Sequence, residues 1–186
     1  WFVCSCCPTT LVRFLPSLPG YVYAQRGSDI YVNLFISGSA EIKTDRQTVQ
    51  LVQQNDYPWN GRLLFKVVPS ETLPLTIRIR IPGWAQDEAM PTDLYSFRHR
   101  SDKKPELKIN GESLDYRVEK GYAVVSRRWK KNDVIELDLP MEVRRVAANE
   151  KVKYDRGKTA LQRGPVVYCA EWKDNYGKTS NIIRPI

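Results

Sequence analysis

Residues Leu75-Thr76-Ile77-Arg78-Ile79-Arg80-Ile81 alternate apolar with polar side chains without a break. Successive side chains of an extended chain point to opposite faces, so this run predicts a strand with one buried and one wet face. A helix would scatter the same apolar groups around its axis. The period recurs along the chain. Residues 21–25 and 30–36 read as strands parted by Arg26-Gly27-Ser28-Asp29, with Ile30, Val32, Leu34 and Ile36 sharing a face. Residues 40–43, 48–52 and 63–68 continue the pattern, and Asn60-Gly61 signals a hairpin because both residues tolerate positive φ. A second β-rich segment follows a polar stretch at 86–104. There 106–109 and 112–114 meet across Asn110-Gly111, and 122–126 is a strand. Residues 134–139 place Ile135, Leu137 and Leu139 on one face, and 142–147, 159–162 and 166–170 supply further strands. Many short strands with Gly, Pro and Asn turns predict a mainly β fold of one or two antiparallel β-sandwich domains. The expected division is 21–85 for the first domain, 86–104 for a linker or long loop and 105–186 for the second, with late strands free to return to the first.

The first twenty residues differ. Pro8 suits a first helical position, and Leu11, Phe14, Leu15 and Leu18 follow at the spacing of one helical face. Pro16 and Pro19 limit the helix and Gly20 permits the turn out of it. No second amphipathic helix offers this face a partner. The sequence therefore reads as beginning mid-protein, and the helix is expected to be displaced, swapped or self-associating. Just before it, in a predicted loop, lies Cys4-Ser5-Cys6-Cys7. Thiolates are natural zinc ligands and strong nucleophiles, but three cysteines fall short of the four donors a zinc site wants.

Composition narrows the classes. The chain has 186 residues and a net charge of +8, from 29 Lys plus Arg against 21 Asp plus Glu. The basic residues are spread along it in nothing longer than pairs such as Arg127-Arg128 and Lys130-Lys131. That pattern fits solvated sheet faces better than a nucleic-acid interface. No run of eighteen apolar residues predicts a membrane span. Trp1-Phe2-Val3 is no signal peptide, so natural targeting is not visible; a bacterial cytoplasm or periplasm is the expected compartment. Four cysteines, two of them adjacent, suggest metal or catalysis rather than disulfide stapling.

The segment from Trp1 to Tyr23, with its Cys6-Cys7-Pro8-Thr9-Thr10 core, resembles the end of the catalytic domain in glycoside hydrolase family 127. The resemblance continues through Leu34, Tyr57-Pro58-Trp59-Asn60-Gly61, Arg80-Ile81-Pro82-Gly83-Trp84 and 161–171 (Leu-Gln-Arg-Gly-Pro-Val-Val-Tyr-Cys-Ala-Glu), in the family's order. It implies a retaining β-L-arabinofuranosidase in which Cys6 is the catalytic nucleophile. Cys6 and Cys7 would both bind zinc, and Cys4 would be structural. It further implies that the remaining zinc ligands, a Glu and a Cys, and the acid/base Glu lie upstream in an (α/α)6 helical barrel, of which the first helix here is the tail. On this reading the chain is a C-terminal part that alone neither holds zinc nor turns over. Its parent would act on an arabinofuranoside or other plant-derived glycan. Thr10 departs from the family pattern, which usually has Asn there.

Other candidates read more blandly. Cys169 sits in an apolar run and is expected in the core. His99 falls in the polar stretch without a ligand partner at motif spacing. Glu41, Asp56 and Glu171 could form a carboxylate pair only if folding brought them together. Trp59, Trp84, Trp129 and Trp172 offer stacking faces, yet packing at sheet ends is preferred, with Trp59 the most exposed. The competing functions are a non-catalytic carbohydrate-binding β-sandwich and a basic nucleic-acid-binding module.

Overall fold

The computed structural model describes residues 6–169 together with Glu171 and Lys173. It opens with helices α1 (Cys6–Ser17) and α2 (Pro19–Val22). Fifteen strands follow among the described residues: β1 (Tyr23–Arg26), β2 (Asp29–Val32), β3 (Gly38–Lys43), β4 (Thr48–Asn55), β5 (Arg62–Pro69), β6 (Pro74–Arg80), β7 (Tyr95–Phe97), β8 (Glu106–Ile109), β9 (Glu112–Ser113), β10 (Arg117–Glu119), β11 (Tyr122–Arg128), β12 (Asp133–Asp138), β13 (Val143–Ala148), β14 (Thr159–Arg163) and β15 (Val166–Val167). The chain is mainly β, as the period-two pattern predicts.

The strands form three sheets, in the orders β1-β2-β6-β11-β10, β3-β4-β5-β12-β8-β9 and β15-β14-β13-β7. They do not sort by position in the sequence. One compact unit takes the described residues of Trp1–Asn55, Leu63–Arg80 and Leu107–Glu136; the other takes those of Asp56–Arg62, Ile81–Glu106 and Leu137–Ile186. Both units draw on residues before and after 86–104, so that stretch does not separate the sheets. Nor is it all loop: a 3-10 turn (Gly83–Gln86) leads into it and β7 within it pairs antiparallel with β13.

In the first unit the alternation becomes two apolar layers. Leu75, Ile77 and Ile79 of β6, with Ala123 and Val125 of β11, form one; Val49, Leu51, Phe65 and Val67 of β4 and β5, with Ile135, form the other, all buried. Each large aliphatic side chain removed from water this way contributes about 1.5–3 kcal/mol. Trp129 is wholly buried and its indole N–H donates to the Leu75 carbonyl at 3.0 Å, so this tryptophan is core rather than a platform. β2 runs parallel to β6, pairing Ile30 with Ile77 and Val32 with Ile79, in a sheet otherwise antiparallel.

Three local expectations change. Tyr21 and Val22 belong to α2, because Pro19 starts a new helical turn, and the strand begins only at Tyr23. β2 ends at Val32, so the alternation is lost: Phe35 is buried and Ile36 exposed. Asn60-Gly61 is not a two-residue hairpin turn. The β4–β5 connection turns instead at Asp56, whose carbonyl accepts the N–H groups of Trp59 and Asn60, next to a cis Tyr57–Pro58 peptide.

Candidate functional site

Cys6 and Cys7 lie within α1, not in a loop before it. Helical geometry fixes their neighbours. Thr9 and Thr10 both donate their hydroxyls to the Cys6 carbonyl at 2.9 Å, so the departure at Thr10 still provides a side chain that ties the turn. The two thiols are exposed, with their sulfurs 3.8 Å apart. Two thiolates about 2.3 Å from one zinc in a tetrahedral site lie about 3.8 Å from each other. The pair therefore fits one edge of a zinc tetrahedron. Among the described residues no group of three or more His, Cys, Asp or Glu is placed to hold a metal ion. Cys4 lies outside the described residues.

α1 buries none of its residues. Leu11, Val12, Phe14 and Leu15 are all exposed, and Phe14 packs only loosely toward Tyr21 with ring centroids 6.3 Å apart. The thiol pair thus stands at one end of an apolar helix face open to solvent. Among the described residues no helix is long and apolar enough to cross a membrane.

Several carboxylates elsewhere are engaged by cations, backbone N–H groups or hydroxyls. In the first unit Arg78 is gripped by Asp29 at 2.9 Å and Glu119 at 2.8 Å, lies 5.5 Å from the Tyr31 ring centre, and is held protonated by the two carboxylates. Arg78 in return lowers the Glu119 carboxyl. In the second unit Arg144 donates to Asp87 at 2.6 Å, to the His99 carbonyl at 2.7 Å and to the Trp84 carbonyl at 3.4 Å, with its guanidinium 3.5 Å from the Phe97 ring centre. The Ser101 N–H, then Arg144, hold the Asp87 carboxyl below its ordinary range. Glu142 is lowered by Ser101 and Lys103, and Asp155 by the Tyr95 hydroxyl and Lys158. A general acid must keep its proton at working pH. Every displaced carboxyl among the described residues moves the other way.

The remaining candidates separate. Glu41 is exposed on β3, and Asp56 and Glu171 are exposed in the other unit. Cys169 is exposed, not core: β15 ends at Val167 on a sheet edge, so the apolar run outlasts the strand that would have buried it. His99 is exposed, as expected, and its carbonyl accepts from Arg144. Trp59 is 64% exposed and Trp84 half-buried; Trp172 lies outside the described residues. The Arg78 and Arg144 hubs were not visible in the sequence, because each gathers partners from segments dozens of residues apart.

The described chain is mainly β, with a pair of adjacent cysteines on its leading helix. Residues 29–141 match the GH127 middle domain of β-L-arabinofuranosidases, and residues 143–185 the glycoside hydrolase family 127 C-terminal domain. The chain belongs to glycoside hydrolase family 127. It is 31% identical, over 97% of its length, to a non-reducing end β-L-arabinofuranosidase of Bifidobacterium longum subsp. longum, and spans 25% of that relative. A solved GH127 β-arabinofuranosidase superposes with a TM-score of 0.85 at 45% identity, covering 94% of this chain and 27% of its own. The GH127 β-L-arabinofuranosidase of Geobacillus stearothermophilus T6 gives 0.81 at 36%, covering 95% and 25%.

Proposed function

We propose that this chain is the C-terminal β part of a retaining β-L-arabinofuranosidase whose nucleophile is Cys6. The observation that carries the reading is the exposed Cys6–Cys7 pair, its sulfurs 3.8 Å apart, in a family 127 chain. Cys6 and Cys7 would hold a zinc ion, which when bound keeps thiol ligands deprotonated at neutral pH. The Cys6 sulfur attacks the anomeric carbon as the glycosidic C–O bond breaks. The leaving oxygen takes a proton from a general acid, which on this reading lies outside this chain. Water then displaces the sugar from sulfur, and two inversions return the original configuration. Thr9 and Thr10 fix the Cys6 carbonyl and hence the backbone from which the nucleophile projects.

The chain by itself is inactive on this reading. It supplies the nucleophile and its neighbour, whereas turnover also needs an acid, a base and a pocket that positions the sugar. Positioning alone is worth about 7–11 kcal/mol of barrier. An aryl β-L-arabinofuranoside, with zinc and a thiol reductant, is offered to this chain, to the longer protein carrying it and to that protein's Cys6→Ser variant. Hydrolysis by the longer protein, abolished by Cys6→Ser and absent from the chain, is the expected result. Full activity in the Cys6→Ser variant would defeat the nucleophile assignment, and Cys6-dependent release by the chain alone would defeat the claim that essential groups lie elsewhere.

A further inference from the structure

One open cleft in the first unit is lined by three arginines and three hydroxyl-bearing residues, beside Pro74 and Leu75. Arg46 comes from the β3–β4 turn, Arg127 and Arg128 from the end of β11, Ser28 from the β1–β2 turn, and Thr76 and Ser126 from a cross-strand pair on β6 and β11. The cleft has a volume of about 420 Å³, within the range of ligand clefts, and none of its lining residues is acidic.

The three arginines are not equivalent. Arg127 is fixed: its guanidinium lies 5.4 Å from the ring centre of buried Trp129 and 3.9 Å from the Asp133 carboxylate. Asp133 also accepts from the Lys130 N–H and from Asn110, each at 2.9 Å. Arg46 and Arg128 are exposed, and neither side chain has an ion pair or hydrogen bond among the described residues. Thr76 and Ser126 hold their hydroxyls 2.8 Å apart beside them. A planar guanidinium offers two parallel N–H groups that match a carboxylate. Free forks above a row of hydroxyls suit a ligand that carries a carboxylate on a polyhydroxyl ring. A neighbouring cleft of about 590 Å³ shares Ser126, Arg127 and Arg128 but includes Asp115, which disfavours an anion there.

We propose that this cleft binds a uronic acid of an acidic polysaccharide, with Arg46 and Arg128 on the carboxylate and the Ser28, Thr76 and Ser126 hydroxyls on the ring. The choice of a sugar acid among anions rests on the glycosidase reading; the cationic cleft itself does not. Cys6 takes no part, so Cys6→Ser leaves this binding unchanged while abolishing hydrolysis, and the two readings fail separately.

The test is calorimetric titration of the chain with a galacturonic acid tetramer, with the same tetramer as its neutral methyl ester, and with a single-stranded oligonucleotide of equal charge. The acid binds, the ester does not, and binding weakens as salt rises. Arg46→Gln with Arg128→Gln lowers affinity about tenfold or more, which is about 1.4 kcal/mol. Arg46→Lys with Arg128→Lys falls between, because charge remains and the fork is lost. Both residues are exposed and have no side-chain partner among the described residues, and matching melting curves verify that the variants fold. Equal binding of acid and ester, no binding of the acid, wild-type affinity in the glutamine pair, or tighter binding of the oligonucleotide would each overturn the proposal.

Discussion

The chain contains two Asn-Gly steps, and the same dipeptide does different work in each. Asn110-Gly111 is a tight β-turn. Its residues take φ of 53° and 85°, and nothing lies near the position of a Cβ on Gly111. Here glycine answers a dihedral demand. Neither Asn60 nor Gly61 has positive φ. Gly61 is buried, its carbonyl accepts the Leu139 N–H at 3.0 Å, and a Cβ there would collide with the Leu139 carbonyl oxygen and approach the Met141 side chain. Here glycine answers a demand for space. The strongest local hairpin signal in a sequence thus reports that glycine is required, and only the surroundings tell whether a torsion or a neighbour requires it.

The largest effect should come from Gly61→Ala. The new methyl meets backbone rather than a pliable side chain, so the cost is about 3 kcal/mol, read as a drop in denaturant midpoint. A loss below about 1 kcal/mol would mean that the Leu139 contact relaxes easily and the contrast is overstated. Next comes the carboxylate beneath the other turn. Asp133 accepts from Asn110, whose Oδ1 accepts the Val134 N–H at 2.8 Å. Burial raises the Asp133 carboxyl, but the Lys130 N–H, Asn110 and nearby cations outweigh it, so the net shift is downward. A carboxyl depressed on folding stabilises fully above its unfolded value of about 3.9, and that contribution disappears as pH falls through the lower folded value. Asp133→Asn should cost about 2 kcal/mol at pH 7 and flatten the acid limb of the stability profile. An unchanged acid limb would exclude Asp133 as its source. Gly111→Ala is expected to cost about 1 kcal/mol, from the left-handed backbone alone. If it proves worse than Gly61→Ala, the two roles are assigned the wrong way round. Asn60→Ala is the mildest. It removes one exposed acceptor for the Arg62 N–H, held at 2.9 Å, and should shift stability by about 0.5 kcal/mol.

The same distinction explains what could be read in advance. β6 and β12 were legible because each carries its own alternation, and their inward residues are buried as the pattern requires. β10 was not foreseen, since Arg117-Val118-Glu119 is largely exposed and exists as a strand through its pairing with β11. β7 likewise depends on β13. The Cys6–Cys7 pair was legible as two adjacent thiols, but its helical setting was not, because Pro8 marks a good early helical position without excluding a turn before it. The cationic cleft could not be read from spacing at all. Arg46 and Arg128 are 82 positions apart in the numbering and share a cleft only once the β3–β4 turn lies beside β6 and β11.

That alignment has a consequence for how the chain is made. β6 sits between β2 and β11, and β5 between β4 and β12. A ribosome that has released residues through Arg80 has delivered β5 and β6 with one neighbour each. Their outer edges stay unsatisfied until β11 and β12 emerge, and those end at Arg128 and Asp138. Partners this distant make closure slow, and an unpaired apolar strand is a template for the wrong neighbour. The interval between Arg80 and Arg128 is therefore the stage at which these sheets are most exposed to mispairing. Stalling translation between Arg80 and Arg128 should yield chains that bind chaperones, and release past Asp138 should free them.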